Sequence, residues 1–276
     1  MSSAVWHSST GWEAPELKPY GPLAIMPNAP TAAMMAKYVY YAPDCNAHRM
    51  RISVARVALP DVDPHAFVAL IEALLEVDAD KFLPMSQPGS FLYLRPAMIG
   101  MHEGLGPHAP DTAMLFIIAT YMPEMGEQPL RVMASGDGTI RAWPGGFGYA
   151  KVGSNYGPAL VPALEARRSG YDQVLWLFGE ERWVTECGPS NFFVVWRTRE
   201  GQLQLVKAPL DDRMILDGVT RRSILQLVRE MLSGPHSPHE GATIGEYTAA
   251  IKAWIRDIMY GREDHDWGVE CKHTRG

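Results

Sequence analysis

One lysine lies in a segment of the chain that is rich in glycine. Lys151 lies between Gly145–Gly148, which holds three glycines, and Gly153, and Tyr156 opens an apolar helical pattern just beyond it. Glycine lets the backbone approach a ligand closely because it has no Cβ atom that would clash. A lysine amine is nucleophilic only when it is desolvated and held by rigid backbone, since a solvated ammonium stays protonated at neutral pH. A surface lysine in a glycine-rich turn is the alternative.

Hydrophobic periodicity predicts an α/β protein. In the first half, helical patterns precede β patterns; the helical ones cover residues 46–57 and 64–77, and the β patterns cover 90–99, 112–122 and 130–134. Asn46 is expected to cap the first helix. In the second half, helical patterns at 155–169, 220–231 and near the C-terminus flank β patterns at 173–178, 183–186, 192–197 and 202–207. Pro162 is expected to kink the helix over 155–169.

The glycine-rich and polar stretch Ser135–Gly148 is typical of a connector between two domains. It predicts a smaller α/β domain over residues 1–134, a connector over 135–148 and a larger domain over 149–276. A functional site is expected in the cleft between the two domains.

The composition restricts the class of function. The chain has 25 basic and 31 acidic residues and a net charge of −6, so it lacks the basic stripe with which proteins neutralise nucleic-acid phosphates. Three cysteines without a Cys-x-x-Cys pair point to a reducing compartment and away from structural zinc. The apolar runs are too short to span a bilayer, and residues 1–10 lack the features of a targeting peptide. We therefore expect a cytoplasmic protein without nucleic-acid, membrane or metal partners.

Several separate segments resemble, in the same order, those of the branched-chain amino-acid aminotransferases, the class IV fold of pyridoxal-phosphate (PLP) enzymes. Besides the lysine segment they are Gly11–Glu13, Phe91–Pro96, Val174–Leu177, Thr185–Phe193, Leu216–Arg222, Tyr260–Arg262 and Asp266–Trp267. The resemblance implies an α/β, two-domain class IV PLP-dependent aminotransferase fold, with PLP bound by the larger domain. It also implies transamination between an aliphatic, branched-chain amino acid and 2-oxoglutarate, and a homodimer.

PLP chemistry requires an amine for the cofactor's aldehyde, a carboxylate at the pyridine nitrogen, donors for the phosphate and a substrate pocket. The resemblance implies that Lys151 is the amine and that Glu186 is the partner of the pyridine nitrogen. It also implies that Tyr156 faces the cofactor's phenolic oxygen. Taken alone, Glu186 would be typical of a solvated strand end, and Tyr156 of a half-buried helix start.

The resemblance further assigns residues to the phosphate and to the substrate. Arg49 is similar to the family's phosphate arginine, and Val219 and Thr220 open a helix whose N–H groups and dipole favour anions. Tyr93 and Arg95 are two positions apart in a β pattern, so they share one face of a strand. The resemblance implies that both face the substrate, with Arg95 binding the side-chain carboxylate of glutamate. An edge-strand pair with Arg95 in a salt bridge is the alternative.

Two segments of the family pattern are missing. The chain is shorter than the family between Leu23 and Arg49, and Ser233–His239 leads straight into the last helix without the family's strand and glycine-rich turn. That turn binds the phosphate and the substrate's α-carboxylate in the family, so its loss predicts an incomplete fold and weaker cofactor binding. Two alternatives stay open: a catalytically impaired relative that acts as a non-catalytic or dimerising partner, and an internally deleted, non-functional product.

Overall fold

The structure of the chain is a computed structural model that describes residues 6–7, 11–12, 23–27, 38–82, 91–101, 108–122, 129–232, 244–259 and 268–270. Within these residues the first half contains β1 (Trp6–His7), β2 (Gly11–Trp12), β3 (Leu23–Pro27), β4 (Tyr38–Tyr41), α1 (Pro43–Arg56), α2 (Pro64–Phe82), β5 (Phe91–Gly100), β6 (Ala113–Met122) and β7 (Val132–Ala134). The second half contains α3 (Leu160–Arg168), β8 (Gln173–Phe178), β9 (Trp183–Cys187), β10 (Ser190–Asn191), β11 (Phe193–Arg197), β12 (Leu203–Lys207), α4 (Val219–Leu227), α5 (Ile244–Met259) and β13 (Gly268–Glu270).

An antiparallel sheet in the order β13–β4–β3–β5–β6 forms the first layer. Strands β5 and β6 pair over ten residues, from Phe91 opposite Met122 to Gly100 opposite Ala113. One face of β5 packs on α1 and α2 in a core that includes Leu92, Leu94, Met98, Met50, Val54, Phe67, Ile71 and Leu75. Each such buried side chain contributes about 1.5–3 kcal/mol. The opposite face of β5 therefore presents Tyr93 and Arg95 away from this core.

A second sheet, in the order β10–β9–β8–β7, lies in the second half, and β7 runs parallel to β8. Strands β11 and β12 form a separate antiparallel pair. Helices α4 and α5 share a core with the start of α1, through Val219, Leu227, Tyr247, Ile251, Ile255, Tyr41 and Ala42. The predicted inward stripe of the last helix is confirmed at Tyr247, Ile251 and Ile255. This core fixes the N-terminus of α4 beside the N-terminus of α1.

Two local predictions are wrong. Helix α1 begins at Pro43 after Ala42, whose φ is 46°, so Asn46 does not cap it. Its Nδ2 instead donates to the carbonyl oxygen of Ala42, at 3.1 Å. The segment 155–169 is not one kinked helix, because 3₁₀ turns at Gly153–Asn155 and Gly157–Ala159 precede α3. Pro162 then lies in the first turn of α3, where a missing N–H leaves no helical hydrogen bond unmade.

The predicted domain division stays a prediction, and two strands cross it. Strand β7 precedes the connector but pairs with β8 in the second-half sheet. Strand β13, near the C-terminus, pairs with β4 in the first-half sheet. The connector Ser135–Gly148 contains no helix or strand. The segment Ser233–His239 and the motif residues Tyr260–Arg262 and Asp266–Trp267 lie outside the described residues.

Candidate active site

A cavity of about 520 Å³ lies between β5, the start of α1, the lysine segment and the N-terminus of α4. The sequence-predicted residues that line it are Arg49, Tyr93, Lys151, Glu186, Val219 and Thr220. The other two lie next to it: the ring of Tyr156 is centred 5.2 Å from Lys151 Nζ. The Arg95 guanidinium donates to Tyr93 Oη at 3.3 Å. The structure therefore brings all eight predicted residues together from distant parts of the chain.

The backbone around Lys151 is held by hydrogen bonds to two other segments. Its N–H donates to Ser53 Oγ at 2.9 Å, and Ser53 Oγ donates to the carbonyl of Arg49 at 2.8 Å. Asn155 Nδ2 donates to the carbonyl of Ala150 at 3.3 Å. Because Ser53 lies one helical turn beyond Arg49, helix α1 places the anion donor Arg49 and fixes Lys151 at the same time.

Gly148 is required by close backbone packing. A Cβ atom at this position would lie 2.3 Å from the carbonyl oxygen of Met214. No real Cβ–oxygen contact is that short, so only glycine fits here without moving the chain. Of the glycines before Lys151, Gly148 thus has a packing reason that the sequence pattern alone did not single out.

The environment of Lys151 favours a neutral amine. Its residue is only 8% exposed. Burial, followed by the positive charge of Arg49, lowers the pKa of Lys151 to about 7, while Glu186 acts in the opposite direction. A large fraction of the amine is therefore unprotonated at neutral pH, as a nucleophile or a general base requires.

Glu186 is 1% exposed and is held at both carboxylate oxygens. Its Oε1 accepts hydrogen bonds from Asn191 Nδ2, at 2.9 Å, and from the Leu216 N–H, at 3.2 Å. Its Oε2 lies 2.6 Å from a terminal nitrogen of Arg141, forming an ion pair that is not aligned as a hydrogen bond. Burial raises the pKa of Glu186, and the charge of Arg141 is the main opposing influence. The carboxylate therefore keeps an oxygen able to accept a further hydrogen bond.

Three residues of this arrangement were not predicted from the sequence: Arg141, Asn191 and Ser53. Arg141 lies in the connector, which has no periodic pattern that could indicate its direction. Asn191 lies within the Thr185–Phe193 motif, so its position there was an available signal. Ser53 follows Arg49 by four residues, a spacing that places both on one side of a helix.

The opposite end of the cavity is suited to an anion. A terminal nitrogen of Arg49 donates to Asn46 Oδ1 at 2.5 Å, while the buried Nε of Arg49 has no hydrogen-bond partner among the described residues. Helix α4 begins at Val219 without a side-chain cap. Its first N–H groups point out of the helix without an intrahelical acceptor. Backbone donors and a guanidinium therefore converge where a phosphate group would bind.

This set of groups fits PLP. Lys151 supplies an amine of low pKa, Glu186 a buried oxygen with unused acceptor capacity, and Arg49 with the start of α4 an anion site. Among the described residues no group of three or more His, Cys, Asp or Glu side chains could hold a metal ion. Within the same part of the chain, no helix has the length and hydrophobicity needed to cross a membrane. The fold and the site together define a PLP-type enzyme.

The sequence model of the family described as Amino-transferase class IV matches residues 33–254. The chain belongs to this family. It is 39% identical to the cytosolic branched-chain-amino-acid aminotransferase of Saccharomyces cerevisiae, over 91% of this chain and 71% of the relative. It is 38% identical to the branched-chain-amino-acid aminotransferase of Dictyostelium discoideum, over 100% of this chain and 80% of the relative. The predicted family is thereby confirmed.

Solved structures confirm the α/β class IV aminotransferase fold. The branched-chain aminotransferase of Thermoproteus uzoniensis matches with a TM-score of 0.70 at 17% identity, over 93% of this chain and 90% of the other. The PLP form of the Thermobaculum terrenum enzyme matches with a TM-score of 0.70 at 16% identity, over 92% and 89%. The alignment with the Schizosaccharomyces pombe mitochondrial relative runs over 335 positions, more than the 276 residues of this chain. It therefore contains positions at which this chain has no residue, as the predicted gaps require.

Proposed function

We propose that this chain is a PLP-dependent enzyme that transfers an amino group between a branched-chain amino acid and 2-oxoglutarate. The observation that carries the proposal is the buried amine of Lys151, with a pKa of about 7, in one cavity with Glu186 and Arg49. The names of the relatives supply the substrate class, because those at 38–39% identity are branched-chain-amino-acid aminotransferases.

In the proposed enzyme the eight predicted residues divide the binding of PLP and substrate. PLP, when bound, supplies an aldehyde that combines with amines and a protonated pyridine ring that takes up negative charge. Arg49 and the N–H groups of Val219 and Thr220 would hold the phosphate, and Lys151 would hold the aldehyde end. Glu186 would accept a hydrogen bond from the pyridine nitrogen, and Tyr156 would face the phenolic oxygen.

Lys151 also moves a proton. Its amine lies beside the ring of Tyr156 and within the charge of Glu186, so it stays within the cavity when a substrate amine displaces it. An amine with a pKa near 7 can take the proton from the substrate's Cα and return it at neutral pH. A solvated lysine would be protonated and could not accept that proton.

Glu186 keeps the charge of the pyridine nitrogen in place. The Asn191 amide and the Leu216 N–H fix its Oε1, and Arg141 keeps the carboxylate ionised despite burial. A fixed carboxylate needs no reorganisation when charge develops in the ring, and this preorganisation is the main source of electrostatic catalysis. Arg141 thereby acts as a positioning residue for Glu186.

The cavity wall suits an aliphatic side chain. Phe91, Met122 and Phe193 line it with apolar surface. Tyr93 and Arg95 lie on the same face of β5 as Phe91, so Arg95 can bind the side-chain carboxylate of glutamate or 2-oxoglutarate. A related bacterial enzyme, 18% identical, has been solved in complex with N-(5'-phosphopyridoxyl)-L-glutamate. One pocket would therefore serve both substrates in turn.

The alternatives of a non-catalytic partner and a deleted, non-functional product are not favoured. Lys151, Glu186 and Arg49 are all present and share one cavity. The relatives, moreover, match across 91–100% of the chain. The family therefore accounts for nearly all of this sequence.

The proposal extends to the assembly and location of the protein. We propose a homodimer, supported by the exposed apolar side chains of Met101, Met114 and Ile118 on one edge of the first sheet. We propose a cytoplasmic location, supported by the cytosolic relative in yeast, although mitochondrial relatives also exist. We also propose the division into residues 1–134, 135–148 and 149–276, supported by a cavity whose walls come from both sides of the connector.

The direct test is transfer of the amino group. Purified protein, PLP, 2-oxoglutarate and leucine labelled with nitrogen-15 should yield nitrogen-15 glutamate, and valine and isoleucine should substitute for leucine. Aspartate serves as the control amino donor and should react poorly, because the apolar wall cannot solvate its carboxylate. Absence of labelled glutamate with every branched-chain donor, from folded protein, would refute the proposed function.

A further inference from the structure

Arg221 is a buried arginine that lines the cavity and has no role in the proposed mechanism. It lies on the first turn of α4, next to Val219 and Thr220, and its side chain is only 11% exposed. Its Nε is buried and has no hydrogen-bond partner among the described residues. Burial lowers the pKa of Arg221, although the charge of Asp217 opposes that shift.

The nearest carboxylate is engaged mainly by another arginine. Arg221 approaches Asp217 Oδ1 only to 3.8 Å, which is too long for a hydrogen bond. Arg222, in contrast, donates to Asp217 Oδ2 from Nε at 2.9 Å and also from a terminal nitrogen. The negative charge of Asp217 is therefore shared, and the hydrogen bonds go to Arg222.

The other charges near Arg221 are positive. Arg222 and Arg229 repel it, and Arg221 in turn repels Lys207. Glu186, the other acidic residue of the cavity, is already paired with Arg141. Arg49, which also lines the cavity, has a buried Nε without a hydrogen-bond partner in the described part of the chain. Buried cations are stable only when paired, so this end of the cavity requires a bound anion.

We propose that Arg221 is a second guanidinium for the phosphate group of PLP, acting together with Arg49. This inference rests on the proposed function. Arg221 lies beside the α4 N–H groups that favour a phosphate, and a planar guanidinium fork matches the oxygens of a phosphate dianion. Arg221 thereby supplies donors that the sequence lacks through the missing glycine-rich turn after α4.

Affinity for the phosphate group, measured apart from affinity for the rest of PLP, tests the inference. The variants are Arg221→Met, which keeps an apolar stem but removes the fork, and Arg221→Lys, which keeps only the charge. Arg229→Met, an exposed position following α4, is the control for a lost positive charge. Each protein is titrated with PLP, with pyridoxal, which lacks the phosphate, and with inorganic phosphate in a thermal-shift assay.

Arg221→Met should bind PLP about tenfold or more weakly than the wild type, as expected for a lost charged hydrogen bond. Its affinity for pyridoxal should stay within about twofold, its stabilisation by phosphate should fall, and Arg221→Lys should be intermediate. Arg229→Met should match the wild type. If Arg221→Met does not fold, Arg221→Lys decides the test through its ratio of PLP to pyridoxal affinity.

Wild-type affinity of Arg221→Met for PLP and phosphate would overturn the inference, even if its KM for an amino acid rises. Equal losses for PLP and pyridoxal would also overturn it, because they would indicate a general structural role. Failure of the wild-type protein to bind PLP would refute the proposed function instead. The titration with inorganic phosphate would then still decide whether Arg221 binds this anion.

Discussion

Removal of Arg141 should destabilise the protein strongly at neutral pH and much less in acid. The side chains of Arg141 and Glu186 are 3% and 1% exposed, so Arg141→Met leaves a buried carboxylate with only its two hydrogen-bond donors, Asn191 and the Leu216 N–H. Breaking a buried ion pair in this way costs about 3–5 kcal/mol. The free energy of unfolding, measured in urea without added cofactor, should fall by that amount at about pH 7.

The pH dependence follows from protonation of Glu186. Without Arg141, the pKa of Glu186 in the folded protein rises further above its value in the unfolded chain. The cost is therefore full above the folded pKa and fades as the pH falls toward the unfolded value of about 4.3. The Arg141→Met deficit should be clearly smaller at about pH 5 than at about pH 7.

A surface ion pair provides the matched control. Arg182 is hydrogen-bonded to Asp137 near the same connector, but its side chain is 47% exposed. Arg182→Met should cost at most about 1 kcal/mol. The double variant Arg141→Met with Glu186→Gln should lose less than the single variant, because no uncompensated charge remains. A deficit of under about 1 kcal/mol for Arg141→Met, or one that does not change with pH, would refute this reasoning.

Three further predictions concern the lysine segment and the substrate. Gly148→Ala should cost about 1–3 kcal/mol in a thermal melt because its Cβ would lie 2.3 Å from Met214 O, whereas Gly157→Ala, with open space around it, should not; similar melts would contradict the packing role of Gly148. Cofactor-free protein should capture PLP faster as the pH rises through about 7, since Lys151 is protonated below its pKa and neutral above it, and a rise only near the pKa of free lysine would contradict this. Arg95→Ala should slow the half-reaction with glutamate more than that with leucine, because leucine has no side-chain carboxylate, and equal losses in rapid-mixing experiments would show that Arg95 does not select the substrate.

Local patterns predicted most of the helices and strands. The alternation in Phe91–Pro96 predicted a strand with Tyr93 and Arg95 on one face, and β5 has that arrangement. The start of α1 was predicted three residues too late, because Asn46 resembled a cap while the true signal was Pro43 in the first turn. The 3₁₀ turns before α3 were missed because an apolar helical pattern does not distinguish 3₁₀ from α-helical turns.

The candidate site was predictable where motifs carried it and not where contacts between distant residues complete it. Lys151, Glu186 and Arg49 lie in recognisable segments, and the structure brings them to one cavity. The hydrogen bond from Lys151 to Ser53 joins residues 98 positions apart, and no local pattern encodes such a pairing. Arg141 was missed for the same reason, since only its burial against Glu186 distinguishes it from other arginines.

The most direct test of the central claim is to locate the cofactor on the chain. Protein incubated with PLP is reduced with borohydride, digested and analysed by mass spectrometry. The pyridoxyl mass should be found on the peptide that contains Lys151, and Lys151→Ala protein should show no such label at any lysine. A label on a different lysine, or equal labelling of wild-type and Lys151→Ala protein, would contradict the assignment of this cavity as the PLP site.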